Sequence, residues 1–377
     1  MIQHVIFATG AINRVAQLAF ELNIKQPMIV TGGKSYEISG ARGKIEKAFK
    51  TVKRGHFPVS TRLPEFDEIK RGVIFFKDGS FDCIIAIGGG SVLDTAKLIR
   101  FFSVQDSSFS LDPGEVNLIK KQGVPVIAIP TTAGSGAEAT HFAVLYVDKI
   151  KHSIAHPHIL PNIALVDPDL SQSVPSELAA ASGLDALSQG IESFWSISAT
   201  PISREFAKQA IILAFNSLIP AVRDNDANAR TNLSKSALLA GQAINISKTT
   251  APHALSYTLT ARFGVPHGHA VSLTLGGFLK SMGETGHDDI NHPLGKSHVT
   301  QTLNELCHML NATDPTSACN TLRELMTTLG LSVRLSSLGI RKSDFDMIID
   351  NINLERLSNH PTRINSGIIR NILNEIA

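Results

Sequence analysis

The chain is predicted to fold as an α/β unit followed by an all-α unit, and three observations carry that expectation. Short runs of β-branched and aliphatic residues recur through the first half, each ending in a loop rich in Gly, Ser or Thr. Helical patterns fill the intervals between these runs. After Asp169 the runs become scarce, and long helical patterns succeed one another towards the C-terminus.

Taken in order, Pro27–Thr31 reads as a strand closed by Gly32 and Gly33. Residues 81–87 form a second, ending at Gly88, Gly89 and Gly90, and residues 124–129 a third, ending at Pro130, Thr131 and Thr132. Continuous apolar runs of this length suit strands buried on both faces. The stretch 91–102 is a helix, and strand–helix alternation implies a mainly parallel sheet with helices on both sides. Residues 161–169 read as a last strand and its exit turn. Ser176–Trp195, 203–222, 227–246 and the region after Asn304 read as helices. The boundary is placed in 169–175, giving an α/β unit over 1–170 and a helical unit over 171–377. The polar stretch 283–297 is expected to be a surface loop.

At 377 residues the chain is too long for one ordinary core, which supports two domains. With 43% hydrophobic and 18% charged residues it has a globular composition, and a net charge of +2 gives no reason to expect nucleic acid or an anionic membrane as partner. Cys83, Cys307 and Cys319 are scattered, without a Cys-x-x-Cys pair. That pattern excludes a disulfide framework and a thiolate zinc site. No apolar run reaches membrane-spanning length and no secretory leader is evident, so a cytoplasmic location is expected.

The chemistry begins at the strand ends. Gly88, Gly89, Gly90 and Ser91 follow a strand and open a helix, where free backbone N–H groups and the positive helix end favour a phosphate. Asp94, one turn into that helix, is counted with them as a cofactor residue. The loop from Thr131 and Thr132 through Ser135 to Glu138 also starts at the C-terminal end of a strand, the edge at which open α/β sheets bind ligands. A third loop carries Gly32, Lys34 and Ser35. An acidic residue there would suit a ribose 2′-hydroxyl, whereas glycine followed by lysine and serine favours NADP over NAD.

The helical half offers metal-ligand chemistry. Asp185 and Gln189 stand four residues apart, on one helix face. His253 follows Pro252 at a helix start, and His267 lies in Pro266-His267-Gly268-His269. Imidazoles with a carboxylate suit Fe(II) or Zn(II). His152, His156 and His158 resemble a cluster but read as surface residues, and Trp195 reads as helix packing.

Residues 88–97, 130–140, 160–170, 183–193 and 253–268 appear in the order of the iron-dependent alcohol dehydrogenases, and the chain resembles that family. The resemblance implies a dehydroquinate-synthase-like fold, with an N-terminal dinucleotide-binding domain and a helical C-terminal domain. By position it assigns Asp185, Gln189, His253 and His267 to the metal. The family has His where this chain has Gln189, and commonly a second His where it has Tyr257. The segment from Lys248 to Tyr257, with Arg262 and His269, is similar to the phosphonoacetaldehyde reductase branch. A phosphonate would then meet Lys248, Arg262 and His269, and Tyr257 would pass a proton. The expected activity is NAD(P)H- and metal-dependent reduction of a small aldehyde to its alcohol. A dehydroquinate-synthase-like lyase and a nucleotide-binding sensor are the alternatives. A homodimer is allowed but not required.

Overall fold

The structure, a computed structural model, describes residues 3–104, 121–148, 150–352 and 354–377. It divides into two compact units, Met1–Val174 and Pro175–Ala377.

In the first unit β1 (His4–Phe7), β2 (Pro27–Thr31), β3 (Gly55–Pro58), β4 (Cys83–Gly88), β5 (Val126–Pro130) and β8 (Ile163–Val166) form one sheet in the order β1-β8-β5-β4-β2-β3. Every pairing in it is parallel. Alternate residues of the central strands feed two cores. Met28, Val30, Ile84, Ala86 and Val126 enter one, and Ile29, Ile85, Ile87, Ile127 and Ile129 the other. That two-sided burial is the reason these strands are continuously apolar. Around the sheet lie α1 (Val15–Glu21), α2 (Lys34–Ile38), α3 (Ala41–Ala48), α4 (Phe66–Gly79) and α5 (Gly90–Ser103). The antiparallel pair β6 (Phe142–Val147) and β7 (Ile150–Ala155) stands apart from the sheet.

Chain direction matters for function. From β2 the chain passes outward to β3, whereas from β4 it passes the other way to β5. The order therefore reverses between β2 and β4, and the C-terminal edge at such a reversal is where open α/β sheets hold ligands.

The second unit is helical. It comprises α6 (Ser176–Trp195), α7 (Pro201–Arg223), α8 (Ala227–Ser247), α9 (Ala251–Phe263), α10 (His267–Glu284), α11 (Gly295–Met309), α12 (Pro315–Thr328), α13 (Phe345–Asp350), α14 (Leu354–Ser358) and α15 (Ser366–Glu375). Helix α6 packs on α7, α8 and α10, and α10 packs on α9 and α12. Surrounded in this way, α6 is buried on nearly every face, so the polar side chains it carries inward call for a reason. The stretch 283–297 is largely the exposed connection expected, running from the end of α10 at Glu284 through a short turn at His287–Asp289 to the start of α11 at Gly295, with His292 buried. Among the described residues no helix is long and apolar enough to cross a membrane.

Candidate active site

Gly88 at the end of β4 lies opposite Pro130 at the end of β5, so the two following loops leave the sheet side by side. They touch closely. A Cβ on Gly90 would sit 2.5 Å from the Ser135 hydroxyl, and one on Gly89 would sit 3.4 Å from that of Thr132. The β2 loop joins them, because a Cβ on Gly32 would lie 2.6 Å from Ser35 Oγ and 3.3 Å from Val92. Gly32, Ser35, Gly88, Gly89, Gly90, Ser91, Thr132 and Ser135 thus share one sheet edge, with Thr131 buried beneath. No side chain caps the N-terminus of α5, which leaves its first backbone N–H groups for an anion. Lys34 is exposed at the start of α2.

Asp94 needs correction as a cofactor residue. Its carboxylate accepts from Lys97 Nζ at 3.2 Å and from the Val144 N–H at 3.0 Å. Lys97 is fully buried and also donates to the Ala137 carbonyl and to Thr140. A buried ammonium requires such a partner, so Asp94 buckles α5 to the β5 loop and the hairpin.

In the helical unit, Asp185, Gln189 and Glu192 form an i, i+4, i+7 stripe on α6. His253 comes from the first turn of α9, and His267 opens α10. Gly268 permits the meeting, since a Cβ there would lie 1.9 Å from the Ala181 carbonyl oxygen and 2.7 Å from Asp185 Cβ. Any larger residue would push the start of α10, and His267 with it, off α6. His253 Nε2 stands 3.4 Å from Asp185 Oδ1, and His267 Nε2 stands 4.0 Å from the same oxygen. Ligating atoms of Asp185, His253 and His267 all lie within 4.8 Å of one another. Gln189 is buried one turn along α6 from Asp185. His152, His156 and His158 belong to the other unit and stay outside this group.

Glu192, which the sequence reading passed over, organises the cluster. Fully buried, it accepts from the Thr250 N–H at 2.9 Å, the Thr250 hydroxyl at 3.0 Å and the His253 N–H at 3.3 Å. It therefore caps α9 from outside, a carboxylate at a positive helix end. Its other oxygen meets His253 Nδ1, which turns Nε2 towards Asp185. Trp195 extends the network, donating from Nε1 to Thr250 Oγ1 at 2.9 Å. Burial on its own would lower the His253 pKa, but Glu192 and Asp185 outweigh it and hold the ring at about 9. Two carboxylates around these imidazoles favour positive charge in their midst. One carboxylate with two imidazoles is a donor set suited to Fe(II) or Zn(II), and the outer carboxylate on His253 is a usual companion of such ligands.

The remaining sequence candidates separate. The Tyr257 ring stacks on His267, with centroids 6.2 Å apart. His269 faces elsewhere: residues two apart on a helix do not share a face, and its Nε2 is bonded to the Ser332 carbonyl at 2.7 Å. Arg262 is exposed at the far end of α9 from His253, roughly 13 Å along the helix at its rise per residue. Lys248 reaches outward to Glu355, at 2.7 Å, with both side chains largely in solvent. Arg356, next to that glutamate and absent from the sequence reading, is buried and hydrogen-bonds Tyr257. Nothing in its sequence surroundings marks it.

A parallel sheet edged with glycine loops, followed by helices that gather a carboxylate and two imidazoles, defines a two-unit α/β and helical protein with an anion-ready sheet edge and a metal-type donor set. The chain belongs to the iron-containing alcohol dehydrogenase family. That family's description, "Iron-containing alcohol dehydrogenase", matches residues 3–168, and "Fe-containing alcohol dehydrogenase family, C-terminal" matches residues 179–377. The chain is 36% identical to a phosphonoacetaldehyde reductase of Streptomyces viridochromogenes, over 67% of this chain and 66% of that one. It is 32% identical to long-chain-alcohol dehydrogenase 1 of Geobacillus thermodenitrificans, over 71% of this chain and 68% of the other. Among solved structures it superposes on a sulfoacetaldehyde reductase of Bifidobacterium kashiwanohense in complex with NAD+, with a TM-score of 0.85 and 26% identity, covering 100% and 97% of the two chains. The fold class expected from the sequence is the one observed, and the protein is an oxidoreductase.

Proposed function

We propose that this enzyme reduces phosphonoacetaldehyde to 2-hydroxyethylphosphonate with NADPH or NADH as hydride donor. The observation that carries the reading is the 36% identity to a phosphonoacetaldehyde reductase. Support comes from Tyr257, which stands where the wider family commonly has histidine and stacks on His267.

Asp185, Gln189, His253 and His267 would hold a divalent metal. When bound, the metal supplies Lewis acidity towards the carbonyl oxygen and the nicotinamide supplies hydride for the carbonyl carbon. The protein's own groups do the rest. Glu192 fixes the His253 ring so that Nε2 faces Asp185. Burial raises the Tyr257 pKa, against the lowering effect of Arg356, so the phenol keeps its proton at neutral pH. It suits a proton donor to the new alkoxide oxygen better than a base. The loops at Gly32, Gly88 and Thr131 would hold the dinucleotide phosphates.

A substrate panel tests the reading. Phosphonoacetaldehyde is expected to exceed acetaldehyde and propanal in kcat/KM by about 100-fold, because binding energy from the remote anion helps to orient the reacting carbon. Equal or better turnover of the uncharged aldehydes would reject the phosphonate and leave the dehydrogenase assignment standing.

Cofactor choice has its own test. Gly32, Lys34 and Ser35 favour NADPH at least as much as NADH. In Gly32→Asp, a carboxylate beside the 2′-phosphate and a displaced Ser35 are expected to raise the KM for NADPH about tenfold or more, with less effect on NADH. Unchanged NADPH kinetics would show that the 2′-position lies elsewhere.

A further inference from the structure

Helix α14 and the turn after it are strapped across the loop that starts α9. Glu355 pairs with Lys248 at 2.7 Å. Asn359 Nδ2 donates to the carbonyls of Ser247 at 2.8 Å and Thr249 at 3.1 Å, while its Oδ1 accepts from the Ser198 N–H at 3.1 Å. Between these anchors the charges divide. The Glu355 side chain is 64% exposed, whereas Arg356 is 7% exposed and hydrogen-bonded to the Tyr257 phenol. Tyr257 in turn lies against His267. A buried guanidinium thus meets a phenol, and the phenol stacks on a histidine of the cluster.

We propose that Arg356, held beside Tyr257, is the subsite that grips a tetrahedral oxyanion on the substrate, and that the exposed Lys248 is not part of it. This rests on the reading of an anion-bearing aldehyde given above. The planar fork of a guanidinium places two N–H groups on two oxygens of a phosphonate. Burial keeps that attraction from being screened, whereas Lys248, with its side chain 44% exposed, offers a charge already paired in water. A phosphonate one carbon from the carbonyl must lie near the groups that bind the carbonyl. Tyr257 is the residue that links His267 to Arg356.

The test measures kcat/KM and KM for phosphonoacetaldehyde, sulfoacetaldehyde and propanal in wild type, Arg356→Gln, Arg356→Lys and Lys248→Ala. Arg356→Gln is expected to lower the ratio of anionic to uncharged aldehyde by about 30-fold or more, mainly through KM. Arg356→Lys is expected to lower it about tenfold, because the charge remains but the fork is lost. Lys248→Ala is expected to shift it less than about threefold, as for an exposed pair. An equal loss on all three aldehydes in the Arg356 variants would make the residue structural and overturn the proposal. A wild-type preference for phosphonoacetaldehyde that survives Arg356→Gln would also overturn it, while leaving the phosphonate reading intact. Preference for sulfoacetaldehyde that Arg356→Gln abolishes would support the subsite and replace the substrate. No anionic preference in wild type would remove both. If Arg356→Gln does not fold, Arg356→Lys decides, and an unchanged ratio there overturns the proposal.

Discussion

His267→Ala is expected to purify with little bound divalent metal and to lose about a thousandfold or more in kcat/KM on every aldehyde. The imidazole is one of three groups whose ligating atoms lie within 4.8 Å of one another. Its removal leaves Asp185 and His253 with the neighbouring Gln189. A carboxamide oxygen is a weaker donor than an imidazole, so the loss should not be compensated. The companion change runs the other way: Gln189→His is expected to bind metal more tightly, whatever happens to turnover. Metal content after dialysis, and affinity by competition with a chelator, read both effects apart from activity. Full activity after exhaustive chelation, with no metal by elemental analysis, would show that these residues do not serve a metal.

Legibility in the sequence followed burial. Strands β2, β4, β5 and β8 stand between neighbours in the sheet, are covered on both faces, and therefore read as apolar runs. His4–Phe7 and Gly55–Pro58 were not distinguished from their surroundings because they are the two edge strands, short and partly exposed. In the helical unit, Asp185 and Gln189 were visible as a helix pair. Glu192, three residues further on the same stripe, carried a usable signal, since a buried helix seldom presents three polar groups on one face for nothing. His269 misled in the opposite way: adjacency to His267 suggested a shared role, and helix geometry sends the two rings to different faces. Lys248 was read from its place before α9, but its ammonium pairs with residue 355, far along the chain. Arg356 depends on the same long-range strap, and no local pattern encodes it.

Glu192→Gln is expected to weaken metal binding about 10–100-fold, the usual cost of losing an outer partner of a ligating histidine. The reason lies in the tautomer. Glutamine can keep its oxygen on the Thr250 and His253 N–H groups, but its amide then presents N–H donors to His253 Nδ1 in place of a carboxylate oxygen. Nδ1 must become an acceptor, and the ring proton moves to Nε2, the nitrogen that faces Asp185 at 3.4 Å. A protonated Nε2 has no lone pair for a metal. Turning the amide over restores Nδ1 but sets N–H donors against the Thr250 and His253 N–H groups at the start of α9, a clash of buried donors costing about 1–3 kcal/mol. Either arrangement lowers metal affinity or the melting temperature, so both are to be measured. Trp195→Phe is the graded control: it removes the donor to Thr250 Oγ1, one hydrogen bond further from the metal group, and is expected to lower metal affinity less than Glu192→Gln. Wild-type metal affinity and thermal stability in Glu192→Gln would mean that the carboxylate neither orients His253 nor caps α9.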